Sequence, residues 1–145
     1  GTGGTPGAHG QTVITAIRTA SITAAAITGA TVLTLRDSGG VFSVSQAAAY
    51  DIALPDPTTG PGCRYLFYLT APGANNVTIS TTGASTFVGT IVNDVTSVIV
   101  ATAATSINFA SGNSALGDTI EAISISTSLY LIRAVTSTAS GITVT

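Results

Sequence analysis

The chain has 145 residues, of which 7% are charged and 45% are hydrophobic, and its formal net charge is −2. Four arginines and no lysine give no basic cluster that could displace counterions from a nucleic acid, so the composition argues against nucleic-acid binding. The single cysteine excludes an intrachain disulfide. No apolar run approaches the roughly 18 residues of a membrane-spanning helix.

The low charge is the most informative property of the sequence. A soluble domain is roughly one quarter charged, and charges keep protein molecules apart in solution. Here serine and threonine together contribute 41 residues. We therefore expect a surface made largely of neutral hydroxyl groups, part of which is buried in an assembly.

The first ten residues, GTGGTPGAHG, are rich in glycine and show no hydrophobic period. Such a composition is typical of a flexible or extended segment. We therefore divide the chain into an N-terminal arm, residues 1–11, and one domain, residues 12–145. We expect Gly1, Gly3, Gly4 and His9 of the arm to reach onto a neighbouring subunit.

From Thr12 onward the chain is a series of short runs rich in threonine, valine and isoleucine, which favour strands. Glycine, proline, asparagine and aspartate separate the runs at turns. Strands that recur every 8–12 residues predict an all-β fold. We expect an antiparallel β-sandwich, of jelly-roll or related type. The alanine run at 47–49 is too short for a helix and predicts a loop or a single turn.

The densest apolar run is RYLFYL, residues 64–69. Because side chains alternate along a strand, Tyr65, Phe67 and Leu69 share one face, and Leu66 and Tyr68 share the other. A strand that is apolar on both faces is buried or lies at an interface. We therefore expect a central strand that is covered on both sides.

The sequence offers no convincing catalytic or metal site. His9 is the only histidine and lies in the arm, where nothing would position an imidazole. Cys63 is not predicted to be a nucleophile either, because no base lies near it in the sequence. The sequence predicts no enzyme activity, no cofactor, no metal and no small-molecule substrate.

The carboxylates have a simpler interpretation. Asp37, Asp56 and Asp118 fall in predicted turns, where aspartate caps backbone amides. Asp118 and Glu121 are three residues apart at a strand entry, so their side chains point to opposite faces and do not form a catalytic pair.

One stretch of the sequence resembles a known family. The pattern consists of a D-S-G turn, an F-x-V strand, a strand that ends in L-P, a glycine-rich turn, a Y-x-F strand and a V-T-I strand. In this chain the corresponding residues are Asp37–Gly39, Phe42–Val44, Leu54–Pro55, Gly60–Gly62, Tyr65–Phe67 and Val77–Ile79. This layout resembles the β-rich virion proteins of tailed bacteriophages and related marine viruses, of the head-decoration, head-fibre and capsid-surface type.

The resemblance implies a structural subunit on the capsid surface of a virion, a decoration, cement or fibre-like protein. It implies a homo-oligomer, with a trimer as the first expectation, that contacts a major capsid protein or another shell protein and involves no membrane. Pro55 interrupts strand pairing, and lysine, which often protects sheet edges, is absent. We therefore expect assembly contacts at Pro55, Tyr65 and Tyr68 as well as at the arm.

Two other functions fit the same features. A secreted prokaryotic surface-fibre or adhesin subunit at the cell surface would share the low charge and the hydroxyl-rich composition. A signal peptide encoded before Gly1 would favour that alternative. A carbohydrate-binding module that stacks sugars on Tyr65, Tyr68 or Tyr130 is the second alternative.

Overall fold

The computed structural model describes residues 24–59, 61–94 and 97–145, which form twelve strands and two short 3-10 helices. The helices span Leu35–Asp37 and Pro57–Thr59. The strands, numbered in chain order, are β1 (Ala25–Ile27), β2 (Thr31–Val32), β3 (Val41–Ser45), β4 (Tyr50–Ala53), β5 (Arg64–Ala71), β6 (Val77–Ser80), β7 (Thr86–Asn93), β8 (Ser97–Ala104), β9 (Ser106–Phe109), β10 (Thr119–Ser124), β11 (Leu129–Thr136) and β12 (Ile142–Val144).

The strands form two sheets that pack against each other. A seven-stranded sheet has the order β1-β3-β5-β10-β11-β7-β8, and a five-stranded sheet has the order β12-β9-β6-β4-β2. One continuous cluster of buried hydrophobic residues is drawn from both sheets. The predicted all-β, sandwich-like fold is confirmed. The loop predicted at 47–49 is also confirmed, because these residues connect β3 to β4.

The strand pairing differs from an antiparallel jelly roll, because both sheets are mixed. Strands β1, β3 and β5 are parallel neighbours in one sheet, and β2, β4 and β6 are parallel neighbours in the other. From β1 to β6 the chain therefore crosses from one sheet to the other at each of five successive connections. Each pair of parallel neighbours in one sheet is linked through a strand of the other sheet, which supplies the long connection that parallel strands require. The later strands add antiparallel pairs, such as β10 with β11 and β7 with β8.

The core follows from the alternation of side chains along the strands. On β5 the residues Tyr65, Phe67 and Leu69, which the sequence placed together on one face, are fully buried, whereas their neighbours on the strand are half-buried or exposed. Phe42 of β3 stacks on Phe67 with 5.5 Å between the ring centroids. Residues of the five-stranded sheet, such as Ile79, complete the core from the opposite side.

One glycine of the core strands is required by close packing. Gly89 of β7 has φ +143, and a Cβ at this position would lie 2.1 Å from the carbonyl oxygen of Ile132 on β11. The pairing of β7 with β8 shifts its register between Phe87 and Gly89. A side chain at this position would therefore force β7 away from β11 at a bulge in the sheet.

The region around Pro55 corrects one expectation. Strand β4 ends at Ala53, before Pro55, and Pro57 begins a 3-10 helix, as the two prolines suggest. Strand β4, however, lies between β6 and β2 inside the five-stranded sheet. The strand that ends before Pro55 therefore has hydrogen-bonded neighbours on both sides, so no free strand edge exists there for a partner to cover.

Candidate functional site

The residues that the sequence analysis assigned to assembly do not come together. Gly1, Gly3, Gly4 and His9 lie outside the described residues. Tyr65 is fully buried in the core, so its side chain offers no surface to another chain, and the prediction of an assembly contact at Tyr65 is wrong. The side chain of Pro55 is half-buried, and its carbonyl oxygen accepts a hydrogen bond from Tyr130. Only Tyr68 lies on an outer face, where it is half-buried.

The thiol and two tyrosines gather at one end of the core. The Tyr65 hydroxyl donates to the carbonyl oxygen of Thr34 at 3.0 Å, and the Tyr130 hydroxyl donates to that of Pro55 at 2.6 Å. Cys63 lies close to both tyrosines and is half-buried. The Tyr65 hydroxyl therefore links β5 to the loop after β2, and the Tyr130 hydroxyl links β11 to the loop after β4. Each hydrogen bond joins one sheet to the other.

The electrostatics of this cluster favour neutral phenols. Burial raises the pKa of Tyr65, and the nearby Cys63 adds to this effect. Burial and, to a lesser extent, Cys63 and Asp56 raise the pKa of Tyr130 to about 12. Both tyrosines therefore remain protonated hydrogen-bond donors at neutral pH. Neither is a nucleophile or a base there, and because Tyr65 and Tyr130 are buried, neither offers a ring face for stacking a sugar.

Three carboxylates cap turns, as the sequence predicted. Asp37 accepts hydrogen bonds from the backbone amide and the hydroxyl of Thr34, and Asp56 accepts one from the amide of Thr58. Asp118 is buried and accepts hydrogen bonds from the amides of residues 115 and 137 and from the hydroxyl of Thr136. These carboxylates stabilise loops and do not converge on a common point.

The carboxylates and the thiol do not form a metal centre. Within the described ranges, no group of three or more histidine, cysteine, aspartate or glutamate residues is arranged to hold a metal ion. Asp118 is buried, whereas Glu121 lies on the outer face of β10, so the prediction that they point to opposite faces is confirmed.

The outer face of the seven-stranded sheet carries an unusual number of apolar side chains among the described residues. Its central strands, β5, β10, β11 and β7, present three rows of four outward side chains. The rows are Arg64–Ile123–Leu131–Val88, Leu66–Glu121–Arg133–Thr90 and Tyr68–Thr119–Val135–Val92. We call these twelve residues the apolar outer face, because most of them are aliphatic or aromatic. Two of its aliphatic residues are markedly exposed, Val135 at 56% and Val92 at 43%.

The outer face of the five-stranded sheet has a different character. Its outward residues on β4, β6, β9 and β12 form two rows, which are Asp51–Thr78–Asn108–Thr143 and Ala53–Ser80–Ser106. We call these seven residues the hydroxyl outer face. Thr78 donates to Asn108 at 2.6 Å, and Ser80 donates to Asp51 at 2.9 Å. This face shows the alternation of a sheet with one face packed and one in water.

The apolar outer face carries three charges. Arg64 donates from Nε and Nη2 to Oε2 of Glu121. Arg133 lies directly opposite Glu121 in the β10–β11 pairing and is exposed. Among the residues that the structure describes, the Arg64–Glu121 bridge is the only ion pair, so Arg133 has no acidic partner there. The centre of an apolar surface therefore holds a glutamate beside an unpaired arginine.

One column of this face could be predicted from the sequence, and the others could not. The sequence indicates Leu66 and Tyr68, because RYLFYL is visibly apolar on both sides. The same signal is present in LYLIRAV, residues 129–135, where Leu131 and Val135 point outward while Ile132 points inward. The pairing that sets these residues beside Ile123 and Val88 joins segments far apart in the chain, so it was not visible in the sequence.

No helix among the described residues is long and apolar enough to cross a bilayer. Compared with protein-family models, with curated proteins and with solved structures, the chain matches nothing.

Proposed function

We propose that this chain is a structural subunit of a virus particle, of the decoration or fibre-like type, that acts through assembly with copies of itself and with a shell protein. The observation that carries the proposal is the apolar outer face. A broad exposed apolar surface on a soluble domain is typical of a protein–protein contact. In this chain it occurs beside a second outer face that has the ordinary polar character.

The disposition of the reactive groups supports a structural role. The buried phenols of Tyr65 and Tyr130 are engaged with backbone carbonyl groups. The carboxylates of Asp37 and Asp118 are engaged with backbone amides and hydroxyls of neighbouring loops. Groups that serve the fold in this way are not poised to act on a substrate, because a general base or nucleophile must be free to reach it.

The assignment to a virus particle rests on the resemblance of residues 33–81 to β-rich virion proteins. Immuno-electron microscopy with antibodies against the purified chain tests it directly. Label on virus particles from the organism that encodes the chain is the expected result. Label on cell-surface filaments with none on particles would instead assign the chain to the surface-fibre class.

The assembly itself is tested by the native mass of the purified full chain. We expect a stable oligomer at micromolar concentration in sedimentation velocity, at physiological salt. A chain that remains monomeric at tens of micromolar and binds no particle or filament would refute the proposed function.

A further inference from the structure

We propose that the apolar outer face is the contact with a second copy of this chain, formed around a two-fold axis that runs parallel to β10 and β11. The inference deepens the proposed function and rests on it, because it names the surface and the partner through which self-assembly begins. Three arguments support it: the area of the sheet that carries the face, the pattern of charges on the face and the match of its apolar rows.

The apolar outer face by itself is smaller than a standard dimer interface, but the whole outer side of the seven-stranded sheet that carries it is close to that size. With about 4.8 Å between strands and about 3.3 Å per residue, the seven strands span roughly 700 Å² of projected surface. A standard protein interface buries roughly 800 Å² on each partner. Around an axis between β10 and β11, six of the seven strands of each sheet face the second copy, so the contact approaches the size of a standard interface.

The charges point to a second copy as the partner. Glu121 and Arg133 are cross-strand neighbours on the two middle strands of the face, so they lie at its centre. A purely apolar partner would bury the charge of Arg133 without an acidic group to pair with it, which is unfavourable. A second copy offers one glutamate and one arginine at the same place, and a two-fold axis uses each of them twice.

The charges also select the direction of the axis. If the axis runs parallel to the strands, β10 of one copy lies over β11 of the other, and Glu121 faces Arg133 of the second copy. If the axis runs across the strands, Glu121 faces Glu121 of the second copy and Arg133 faces Arg133. Because like charges in contact are strongly unfavourable in an interface, only the axis parallel to the strands gives a stable pair.

The apolar rows agree with this axis. With β10 over β11, Ile123 faces Leu131 of the second copy on one side of the central charges. On the other side, Tyr68 faces Val92 of the second copy. Packed sheets lie about 10 Å apart, a separation that opposing glutamate and arginine side chains can bridge. The twist of aligned sheets, about 30°, keeps the contacts near the axis in place and moves only the corners apart.

The proposal is tested by charge reversal and complementation in sedimentation velocity. Arg133→Glu places two acidic side chains against Glu121 of the other copy, and Glu121→Arg creates the corresponding contact between basic side chains. Each variant alone is expected to raise the dimer Kd about a hundredfold. An equimolar mixture restores both opposite-charge contacts, so we expect its heterodimer Kd to return to within about tenfold of the wild-type value.

The control is Arg36→Glu, which changes the net charge by the same amount as Arg133→Glu. Arg36 is exposed in the 3-10 helix Leu35–Asp37, away from the apolar outer face. We expect this variant to dimerise like the wild type. Circular dichroism and thermal unfolding verify that all variants fold. Arg133 is exposed, whereas the Glu121 side chain is only 16% exposed and is bridged to Arg64, so this check matters most for Glu121→Arg.

The failure of this inference can be distinguished from the failure of the proposed function. A wild type that assembles while both reversals behave like Arg36→Glu, or a wild type that forms trimers with no two-fold pair, would refute the inference and leave self-assembly intact. A wild type that stays monomeric would refute both. Binding of that monomer to phosphatidylcholine vesicles would show that a lipid surface covers the face instead.

Discussion

The two outer faces of this sandwich are built from similar strands and yet have opposite surfaces. Outward positions on the five-stranded sheet are mainly Thr, Ser and Asn, joined by hydrogen bonds such as that from Thr78 to Asn108. On the apolar outer face of the seven-stranded sheet, six of the twelve residues are Leu, Ile or Val, among which Val135 is more than half exposed. Both sheets bury their inward residues equally well, so the difference lies in the outward positions alone.

The comparison changes the meaning of the low charge. A neutral surface spread evenly over the molecule would carry no information about where a partner binds. Here the hydroxyl outer face has five Thr, Ser or Asn side chains among its seven residues and a single charge, on Asp51, whereas seven of the twelve residues of the apolar outer face are aliphatic or aromatic. The need for a partner is therefore a property of one face, and substitutions on the two faces should have different consequences.

The largest expected difference comes from introducing an acid on each face. Leu131→Asp places an unpaired carboxylate beside Ile123 in the proposed interface and is expected to raise the dimer Kd more than about a hundredfold, equivalent to about 3 kcal/mol. Thr143→Asp adds the same charge on the hydroxyl outer face and should leave the Kd within about threefold. Sedimentation velocity measures both values. Equal effects on the two faces would remove the distinction between them.

The sequence predicted the strands well and their pairing poorly. Alternation in segments such as VFSVS and RYLFYL reflects local geometry, so the all-β fold and the grouping of Tyr65, Phe67 and Leu69 on one face of β5 could be predicted from it. The parallel pairing of β3 with β5, and of β4 with β6, depends on loops that cross between sheets, and no local pattern reports it. The apolar outer face was partly missed for the same reason.

For single residues, too, roles that depend on nearby sequence could be predicted, whereas roles that depend on the second sheet could not. The capping roles of Asp37, Asp56 and Asp118 could be predicted, because an aspartate in a turn acts on amides close by in the sequence. The burial of Tyr65 and its distance from any assembly contact depend on the second sheet. Exposure in a sandwich is decided by which face meets the other sheet, and the sequence of one strand does not contain that information.

The next largest effect is a loss of folding stability, and it is expected at the hydrogen bonds of Gln46, which connect the two sheets that carry the outer faces. The buried side chain of Gln46 donates to the carbonyl oxygens of Phe109 and Ala110 and accepts a hydrogen bond from the amide of Gly73. Gln46→Ala leaves these backbone groups unpaired and is expected to lower the free energy of unfolding by about 2–3 kcal/mol.

Chemical denaturation in urea, at a concentration where the chain is monomeric, measures this loss. Truncation of an exposed amide, Asn113→Ala, serves as the control and should change the free energy of unfolding by no more than about 0.5 kcal/mol. If the loss of the Gln46 hydrogen bonds lowers the stability of the whole domain without altering the apolar outer face, the folded molecules of Gln46→Ala dimerise with the wild-type Kd. A changed Kd would mean that the apolar outer face depends on the connection between the sheets.

A smaller effect, on the pH dependence of folding stability, is expected from Tyr130, which lies in the interior and on neither outer face. The pKa of Tyr130 is raised to about 12 in the folded chain, above the value of about 10 in an unfolded chain. The resulting stability is fully present below about pH 10 and is lost as the pH rises towards the folded-state pKa. From Tyr130 alone, we expect the free energy of unfolding to fall by about 1.4 kcal/mol between about pH 9 and pH 11.

Urea unfolding of the wild type and of Tyr130→Phe at these pH values measures that contribution. The variant is less stable at pH 9, because the carbonyl of Pro55 loses its donor. Its further loss at high pH should be smaller than that of the wild type by about 1.4 kcal/mol. Parallel curves for the two proteins would mean that the Tyr130 hydroxyl is equally acidic in the folded and unfolded chains.

The smallest effects come from exchanging threonine and valine, which have nearly the same shape. Thr78→Val removes the hydrogen bond to Asn108 on the hydroxyl outer face. Because both side chains are only half-buried there, Asn108 remains hydrated, and valine favours strands. We therefore expect a change of less than about 1 kcal/mol in stability and no change in the dimer Kd.

The reverse exchange, Val88→Thr, exposes a hydroxyl on the apolar outer face, where Val88 lies beside Leu131, and should raise the dimer Kd by roughly threefold to tenfold. The pair of variants tests the comparison at its most sensitive point, because shape, size and charge stay constant and only the hydroxyl moves. If Thr78→Val alone promotes association, a single methyl group suffices to make the hydroxyl outer face adhesive. In that case the contrast between the two faces would not determine where a second copy binds.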